Sequence, residues 1–412
     1  MNDPTREAAL ALLSAVLVRH RPLDAGLAAL PRMEARDKAA AHRLAATVLR
    51  HTGTLNAVLE NFLPREPPPR VRFILWLGAA GSLFLGMPPH AAVGTAVELC
   101  KQCKLEKFSG LINAVLRKVA AAGPKLLEPL DMPRLDTPGW AWASWGADAR
   151  VIARAHQHEA PLDITLKPHH VPPPGHGARK LPTGSYRLPP GTLVTALPGF
   201  ATGDFWVQDA AAALPAGFLD LNPGERVLDL CAAPGGKTAQ LAAMGGVVTA
   251  LDRDVGRLEL LRANLRRLGL SARLIQADAT QWQSAEKYSA ILLDAPCSAT
   301  GTIRRHPDLP HLRKPADIAA LTRLQDKLLD AAANLLAPGG RLVYAVCSLQ
   351  PEEGLPRIHA AVQRLGLQQE KLALPALPEA VTPEGCIRTH PGLWREEGGM
   401  DGFFIARVKK PA

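Results

Sequence analysis

The chain has 412 residues, 47% of them hydrophobic, and a formal net charge of +10. Such a length predicts two or three domains, and such an apolar content excludes a chain that is disordered throughout. Its six cysteines are scattered, which excludes a disulfide framework and favours reduced thiols in the cytoplasm. The basic excess is concentrated in residues 1–135, where 18 Lys and Arg accompany 11 Asp and Glu. This distribution favours a nucleic acid as partner over an ordinary solvated surface.

Helical periodicity dominates the first third of the chain. The segments with this spacing are 5–19, 37–49, 54–62, 71–85, 91–101 and 108–119. No strand alternation precedes residue 130, so we predict an all-helical domain over residues 1–130. The longest apolar run, residues 73–87, is shorter than the ~20 residues that cross a bilayer. We therefore expect a buried helix there and no association with a membrane.

The middle of the chain changes character. Residues 123–140 are rich in proline and predict a linker. Short strands between proline- and glycine-rich turns then predict a small mixed α/β module over residues 138–205. Three tryptophans near its start could stack on bases, but such clusters more often pack one domain against another, which we favour. They are Trp140, Trp142 and Trp145.

Two patterns suggest metal or redox chemistry that the rest of the sequence does not support. Cys100 and Cys103 form a lone CxxC pair with no second pair or histidine cluster, so we expect core-facing or incidental thiols. Five histidines lie on a predicted helix and in a proline loop without a shared face, so no metal site is expected. They are His156, His158, His169, His170 and His176.

A strand, a small-residue turn and a helix start follow one another within residues 225–241. Residues 227–230 read as a buried strand, residues 232–236 as the turn, and Thr238 as the start of the helix. This arrangement directs backbone N–H groups and the positive end of a helix at whatever lies over the turn. In a Rossmann-like sheet, that position holds a nucleotide-bearing cofactor.

Acids close the strands that follow this turn. Asp252, Asp278 and Asp294 each stand at the end of a predicted strand, and helices separate the strands. This alternation predicts a parallel sheet with right-handed crossovers, and thus a Rossmann-like domain over residues 206–412. The turn lacks both the dinucleotide fingerprint and the Walker spacing. S-adenosylmethionine fits better, with its ribose on Asp252, its adenine near Asp278 and its amino-acid end over the turn.

Two strand ends also carry a cysteine, Cys297 and Cys347. Carbon 5 of cytosine is a poor nucleophile until a thiolate adds to carbon 6 and makes the ring an enamine. Such chemistry needs a nucleophilic cysteine, an acid near the ring nitrogen and a second group that removes the carbon 5 proton. Asp294 and the two thiols supply that set, and Lys237 would help to hold the negative charge. The sequence alone does not rank the two cysteines.

Five motifs resemble the NOL1/NOP2/Sun family of RNA 5-methylcytosine methyltransferases. They are Cys231-Ala-Ala-Pro-Gly-Gly-Lys-Thr238, Asp294-Ala-Pro-Cys-Ser298, Gly301-Thr-Ile-Arg-Arg-His-Pro-Asp308, Cys347-Ser348 with Pro351-Glu-Glu353, and Asp401-Gly-Phe-Phe404. Residues 88–93 and 110–117 resemble the NusB-type helical domain, which is an RNA-binding module. Asn113 and Arg117 would lie one turn apart on one helix face, where an RNA contact and a plain polar edge remain equally open.

The resemblance implies roles for individual residues. Cys347 would be the nucleophile, Cys297 would assist product release, Asp294 would hold the cytosine and Lys237 would line the site. The residues implied to bind or border S-adenosylmethionine are Cys231, Ala232, Ala233, Pro234, Gly235, Gly236, Lys237, Asp252, Asp278 and Asp294. Val346 stands where Thr is usual, and Leu309-Pro310-His311 stands where an aromatic residue is common. Neither departure removes a group that the chemistry needs.

We therefore expect S-adenosylmethionine-dependent methylation of carbon 5 of a cytosine in RNA. The expected substrate is naked small-subunit (16S) ribosomal RNA, and the expected enzyme is a monomer. Three alternatives stay open: a tRNA cytosine-5 methyltransferase, a DNA cytosine methyltransferase that uses Cys297 as nucleophile, and a non-catalytic NusB-type RNA-binding factor.

Overall fold

The computed structural model describes residues 3–189 and 191–412. The chain forms two compact units. The first contains the residues up to His158 together with Ile303–Arg313, and the second contains Glu159–Thr302 and Lys314–Ala412. Residues 303–313 belong to the helical unit, although the sequence analysis placed them in the predicted domain over residues 206–412.

The first unit is helical, as predicted. Its helices are α1 (Pro4–Leu17), α2 (Leu23–Ala28), α3 (Ala35–Arg50), α4 (Thr52–Glu60), α5 (Pro69–Leu83), α6 (Pro89–Gln102), α7 (Ser109–Ala122), α8 (Met132–Leu135), α9 (Gly139–Trp145), α10 (Ala149–His156) and, from the inserted segment, α14 (Leu309–Leu312). Helix α5 is buried on nearly every side, which explains its continuous apolar run. The short helices α2, α8 and α9 were not predicted, because they span only one or two turns and have little periodicity to detect. The helix that was expected at His156 is α10.

The inserted segment is fixed to the helical unit by hydrogen bonds. The backbone N–H of Leu23 donates to Asp308 at 2.8 Å, and the His311 ring lies 2.8 Å from the carbonyl of Leu49. The guanidinium of Arg50 donates to the Arg304 carbonyl at 2.9 Å. These contacts place the segment after the Gly301 motif in a well-defined conformation.

The second unit opens with a small antiparallel sheet of order β2-β3-β1-β4. Its strands are β1 (Leu162–Leu166), β2 (Arg179–Lys180), β3 (Tyr186–Leu188) and β4 (Phe205–Val207). Ile164, Leu188 and Phe205 form its core. Arg187 pairs with the fully buried Asp163 at 2.7 Å, so this small sheet also contains a buried ion pair.

A larger sheet of order β10-β12-β9-β8-β5-β6-β7 forms the centre of the second unit, and β11 adds to β12. Its strands are β5 (Arg226–Leu230), β6 (Val247–Asp252), β7 (Arg273–Gln276), β8 (Tyr288–Asp294), β9 (Leu336–Val346), β10 (Gln368–Glu370), β11 (Ile387–Arg388) and β12 (Phe404–Lys409). Strands β5 to β9 run parallel, and β12 is antiparallel to β9. The predicted parallel Rossmann-like sheet is confirmed. Helices α11 (Leu214–Gly217), α12 (Gly236–Ala243), α13 (Val255–Leu268), α15 (Pro315–Leu335) and α16 (Leu355–Leu365) complete the unit.

Side chains of the central strands alternate between two cores. Val227, Leu292 and Ala345 belong to one apolar cluster, whereas Leu228 and Tyr344 belong to another. This period of two is expected for strands that are covered on both faces.

The chain order creates a crevice. After β5 the chain runs outward through β6 and β7 and then returns to β8 on the other side of β5. Ligands of open α/β sheets bind at the carboxyl ends of the strands where this reversal occurs.

The third predicted strand is shorter than expected, since β7 ends at Gln276 and Asp278 lies two residues beyond it. No helix in the described part of the chain has the length and apolarity needed to cross a membrane.

Candidate active site

Two cysteines lie side by side at the carboxyl ends of neighbouring strands. Cys297 is in the loop after β8, and Cys347 follows β9 directly. Their sulfur atoms are 3.4 Å apart. Because β8 and β9 are adjacent and parallel, the chain leaves both strands at the same edge of the sheet. The structure thus brings together both cysteines that the sequence singled out.

The two thiols have different surroundings. The hydrogen bond to Cys347, together with burial, raises the pKa of Cys297 well above its ordinary value. Cys347 is only half-buried, and its charge is one of the influences that raise the pKa of Lys237. Burial and the neighbouring thiol thus favour the protonated form of Cys297, whereas a negative charge on Cys347 would interact favourably with Lys237.

Lys237 and Asp294 form an ion pair beside the thiols. Lys237 lies in the first turn of α12, and its Nζ is 2.8 Å from Oδ2 of Asp294 at the end of β8. Burial acts to lower the pKa of Lys237, but the carboxylate of Asp294 and the other nearby anions outweigh burial, so the pKa lies above its usual value. The ammonium also lies 5.1 Å from the centre of the Phe403 ring. A permanent positive charge is thus held next to the cysteines.

A cleft opens along the ends of β5, β6 and β7. Its space, counted with the open mouth, is about 490 Å³. Its lining combines acids, apolar side chains and Arg257, and it reaches Pro296, the residue before Cys297. The predicted cofactor residues that line it are Cys231, Asp252 and Asp278. Acids that can accept from ribose hydroxyls and apolar side chains that can pack on a base are both present in this lining.

The turn between β5 and α12 has a conformation that requires glycine. Gly235 has φ +105°, and a Cβ on it would lie 2.7 Å from Leu261 Cγ. The N–H of Ala233 donates to Asp252 at 3.0 Å, so the acid at the end of β6 fixes the turn as well as lining the cleft. Ala232 and Ala233 are buried, Pro234 is exposed, and Gly236 opens α12. The turn is therefore shaped by glycine conformation and by one buried carboxylate.

Comparison with known proteins agrees with this geometry. The family model described as 16S rRNA methyltransferase RsmB/F matches residues 216–409, and the NusB family model matches residues 3–121. A Pseudomonas syringae protein named ribosomal RNA small subunit methyltransferase B is 37% identical, and the match covers 99% of this chain and 97% of that protein. The chain belongs to the RsmB/F family. Its NusB part is likewise a member of the NusB family.

Two solved structures resemble this RsmB/F family member. The structure titled Crystal Structure of PH0851 has a TM-score of 0.77 at 23% identity and covers 99% of both chains, which shows a shared fold. A methyltransferase homolog protein from Pyrococcus horikoshii has a TM-score of 0.56 at 31% identity and covers 66% of this chain and 93% of its own.

The two departures from the family pattern have structural explanations. Val346, where Thr is usual, is fully buried in the apolar cluster that contains Phe404. Its side chain therefore contributes to the core, and hydroxyls near the thiols come from Ser298 and Ser348 instead. His311, in the segment after Asp308, contacts the helical unit.

Two buried acids near the site were given no role by the sequence analysis. Burial raises the pKa of Asp229 to about 7, against the hydrogen bond that it accepts from the Thr238 hydroxyl. Its signal is an acid inside the apolar run of β5. Glu353 is fully buried and joins the loops that carry both cysteines. In the sequence it is only one acid of a motif, because nothing in the sequence shows which groups it contacts.

The remaining candidates do not form sites. Cys100 is buried and donates to the Leu105 carbonyl, and burial raises the pKa of both Cys100 and Cys103. Burial also lowers the pKa of His156 to about 3, and Trp145 packs edge-on against that ring. Within residues 3–189 and 191–412, no group of three or more His, Cys, Asp and Glu side chains is arranged to hold a metal ion.

Proposed function

We propose that this chain methylates carbon 5 of a cytosine in 16S ribosomal RNA through a covalent adduct with Cys347. Membership of the RsmB/F family and the names of its relatives support an rRNA methyltransferase. The observation that carries the covalent route is the 3.4 Å separation of the two sulfur atoms beside the pair of Lys237 and Asp294. A methyltransferase that acts on an already nucleophilic atom has no need of two adjacent thiols.

The reaction begins with the nucleophile. The Cys347 thiol gives up its proton and the sulfur adds to carbon 6 of the base, while one proton goes to the ring nitrogen, which Asp294 would hold. The ring is then an enamine, and its carbon 5 can accept a methyl group. S-adenosylmethionine, held by Cys231, Asp252, Asp278 and the turn, would supply that methyl group as an electrophile. Lys237 stabilises negative charge at the thiol before addition.

Product release requires the carbon 5 proton to be removed so that the bond between Cys347 and carbon 6 can break. Cys297 retains its proton while its neighbour is free, because the hydrogen bond to Cys347 and burial hold it there. Once Cys347 is bonded to carbon, it no longer bears a charge, and one of the influences that keep the proton on Cys297 is lost. Formation of the adduct therefore favours loss of the Cys297 proton to solvent. The resulting thiolate takes the carbon 5 proton, the double bond between carbons 5 and 6 re-forms, and Cys347 leaves as a thiolate.

The substrate must present an accessible cytosine, because a stacked base cannot reach the end of a β-sheet. We infer that the enzyme acts as a cytoplasmic monomer on naked small-subunit RNA, in which loops are not yet covered. The NusB part supports RNA as partner. Reaction with naked 16S rRNA but not with an assembled small subunit would support this order of events, and gel filtration with light scattering reports the oligomeric state.

The test of the covalent route compares cysteine variants of the full chain, each incubated with S-adenosylmethionine and 16S rRNA. Cys347→Ala should abolish methylation and adduct, since no thiolate can reach carbon 6. Cys297→Ala should accumulate an RNA–protein adduct on a denaturing gel, because the carbon 5 proton remains in place. Cys103→Ala, which alters a half-buried thiol of the helical unit, is the control and should behave as wild type.

Other outcomes would select an alternative. Methylation by Cys347→Ala would contradict the proposed route, and an adduct with DNA that needs only Cys297 would favour a DNA enzyme. A stronger reaction with tRNA than with 16S rRNA would move the substrate to tRNA. Bisulfite sequencing of the product RNA locates the methylated cytosine in each case.

A further inference from the structure

Glu353 carries a buried carboxylate with an unusual set of partners. The side chain is 0% exposed and lies in the short turn before α16. One oxygen accepts from the Ser298 N–H at 2.9 Å and from Gln325 Nε2 at 3.0 Å. The other accepts from the hydroxyls of Ser298 and Ser348, each at 2.5 Å. Four donors match the four acceptor positions of a carboxylate, so this group is fully satisfied.

Three of these four hydrogen bonds come from the residues that follow the cysteines. Ser298 comes directly after Cys297, and Ser348 comes directly after Cys347. The fourth donor, Gln325 on α15, also donates to the carbonyl of Pro296 at 3.0 Å. Glu353 and Gln325 therefore bracket Cys297 on both sides. No other carboxylate among the described residues is shown to bond to both cysteine loops.

Additional contacts hold the same arrangement. The Ser298 and Ser348 hydroxyls are 3.0 Å apart, and the Leu349 N–H donates to Thr300 at 2.9 Å. The backbone carbonyl of Glu353 accepts from the Tyr344 hydroxyl at 2.8 Å, which fixes the turn to β9. The two loops thus contact each other directly, and Glu353 adds a side chain that bonds to both of them, one residue from each sulfur.

We propose that Glu353 is a positioning residue that holds the loops of Cys297 and Cys347 together, so that both sulfurs address the same base. A buried carboxylate is unfavourable unless it is fully paired, and here its partners are the two loops of the site. It does not contact the reacting atoms, and it acts through Ser298 and Ser348. The inference deepens the proposed function and rests on it for the meaning of the activity measurement, but the thiol distance can be tested without RNA.

The first test measures the distance between the thiols. A diazenedicarbonyl oxidant such as diamide converts two adjacent thiols into a disulfide, and peptide mapping identifies the Cys297–Cys347 bridge. Glu353→Ala removes all four hydrogen bonds and should slow formation of this bridge by about 10-fold or more, since the loops separate. Glu353→Gln keeps the shape, and its amide can donate to hydroxyls that reverse direction, so bridging should stay within about 3-fold of wild type.

The second test measures catalysis with the same variants. A shift of about 1 Å in a reacting group costs on the order of 100-fold, so Glu353→Ala should lower kcat by about 100-fold and leave the KM for RNA within about 2-fold. Glu353→Gln should restore most of the loss. Glu352→Ala is the matched control, because that neighbouring carboxylate is exposed, and both its kcat and its bridging rate should equal those of wild type.

A variant that fails to fold is recognised by loss of S-adenosylmethionine binding in calorimetry. For that case, Ser298→Ala and Ser348→Ala each remove one hydroxyl and should give smaller effects in the same direction. Normal bridging and normal kcat in Glu353→Ala would overturn the inference, and so would inactivity of Glu353→Gln, which would assign the group a charge-dependent role. Failure of the proposed function instead appears as methylation by Cys347→Ala, whatever Glu353 does.

Discussion

Asp229 is a buried acid near the site whose pKa is raised by burial. It lies in β5, two residues before Cys231, and burial raises its pKa to about 7, whereas an exposed Asp titrates near 3.9. Between these values the folded chain retains a proton that the unfolded chain has released. The free energy of unfolding therefore falls as pH rises through this window. The free energy of unfolding stops falling once the pH exceeds the pKa of Asp229 in the folded chain.

Replacing Asp229 isolates its contribution to the pH dependence of the free energy of unfolding. Asp229→Asn cannot ionise, so its free energy of unfolding relative to wild type should rise by on the order of 4 kcal/mol between about pH 4 and about pH 7. Urea titrations of the full chain at several pH values measure the difference. The exposed Asp148→Asn is the comparison and should track wild type. A constant difference between Asp229→Asn and wild type across the window would contradict the assignment.

The cofactor turn belongs to the scale of the element, because its shape depends on how β5 meets α12. Gly235 combines φ +105° with a close approach to Leu261. Gly235→Ala would force the turn into a different conformation, at a cost typical of strained backbone. We expect the Kd for S-adenosylmethionine to rise by about 10-fold or more, as measured by calorimetry.

A second glycine serves as a control that distinguishes the effect of the turn's shape from the effect of general destabilisation. Gly366 also has positive φ, at +63°, but a Cβ there would meet nothing within 4 Å, and it lies after α16. Gly366→Ala should therefore lower the melting temperature while leaving the Kd within about 2-fold of wild type. Equal losses of affinity in both variants would show that general destabilisation, and not the shape of the turn, controls binding.

The elements also show why sequence patterns succeed in some places and fail in others. Strands β6 and β8 were predictable because each is a largely apolar run that ends in an acid, and β5 was predictable because its apolar run leads directly into the small-residue turn. The loops after β8 and β9 were not, since their arrangement depends on backbone contacts between distant segments. Gly301 donates to the Cys347 carbonyl and accepts from Gly402, and a Cβ on Gly301 would lie 1.9 Å from the Gly402 oxygen. No periodicity encodes such a contact.

At the scale of the whole molecule, local sequence patterns predicted some features, whereas features that depend on contacts between distant residues could not be predicted. The helical part followed from periodicity, and the Rossmann-like part followed from apolar runs that alternate with helices, since both patterns reflect buried faces. The place of residues 303–313 in the helical unit did not, because hydrogen bonds such as that from Leu23 to Asp308 join residues 285 positions apart. In the same way, motifs identified Cys297 and Cys347, whereas the role proposed for Glu353 needed coordinates.

Charge distribution is the remaining property of the whole molecule that leads to a prediction. The helical unit carries most of the basic excess, and Asn113 and Arg117 are both exposed on α7, one turn apart. If this face contacts phosphates, Arg117→Ala removes one charge contact and weakens RNA binding by about 5-fold at moderate salt. The plot of log affinity against log salt should become shallower by about 0.7 to 0.9.

Kinetics distinguish this contact from a role in the chemistry. Arg117→Ala should raise the KM for RNA and leave kcat within about 2-fold, because α7 supplies no reacting group. Arg364→Ala is the matched control, since that guanidinium is already paired with Asp330 at 2.6 Å and has little charge to offer a phosphate. An unchanged salt slope in Arg117→Ala would make this face a polar edge of a packed helix, and the RNA contact would then have to lie on another basic surface of the chain.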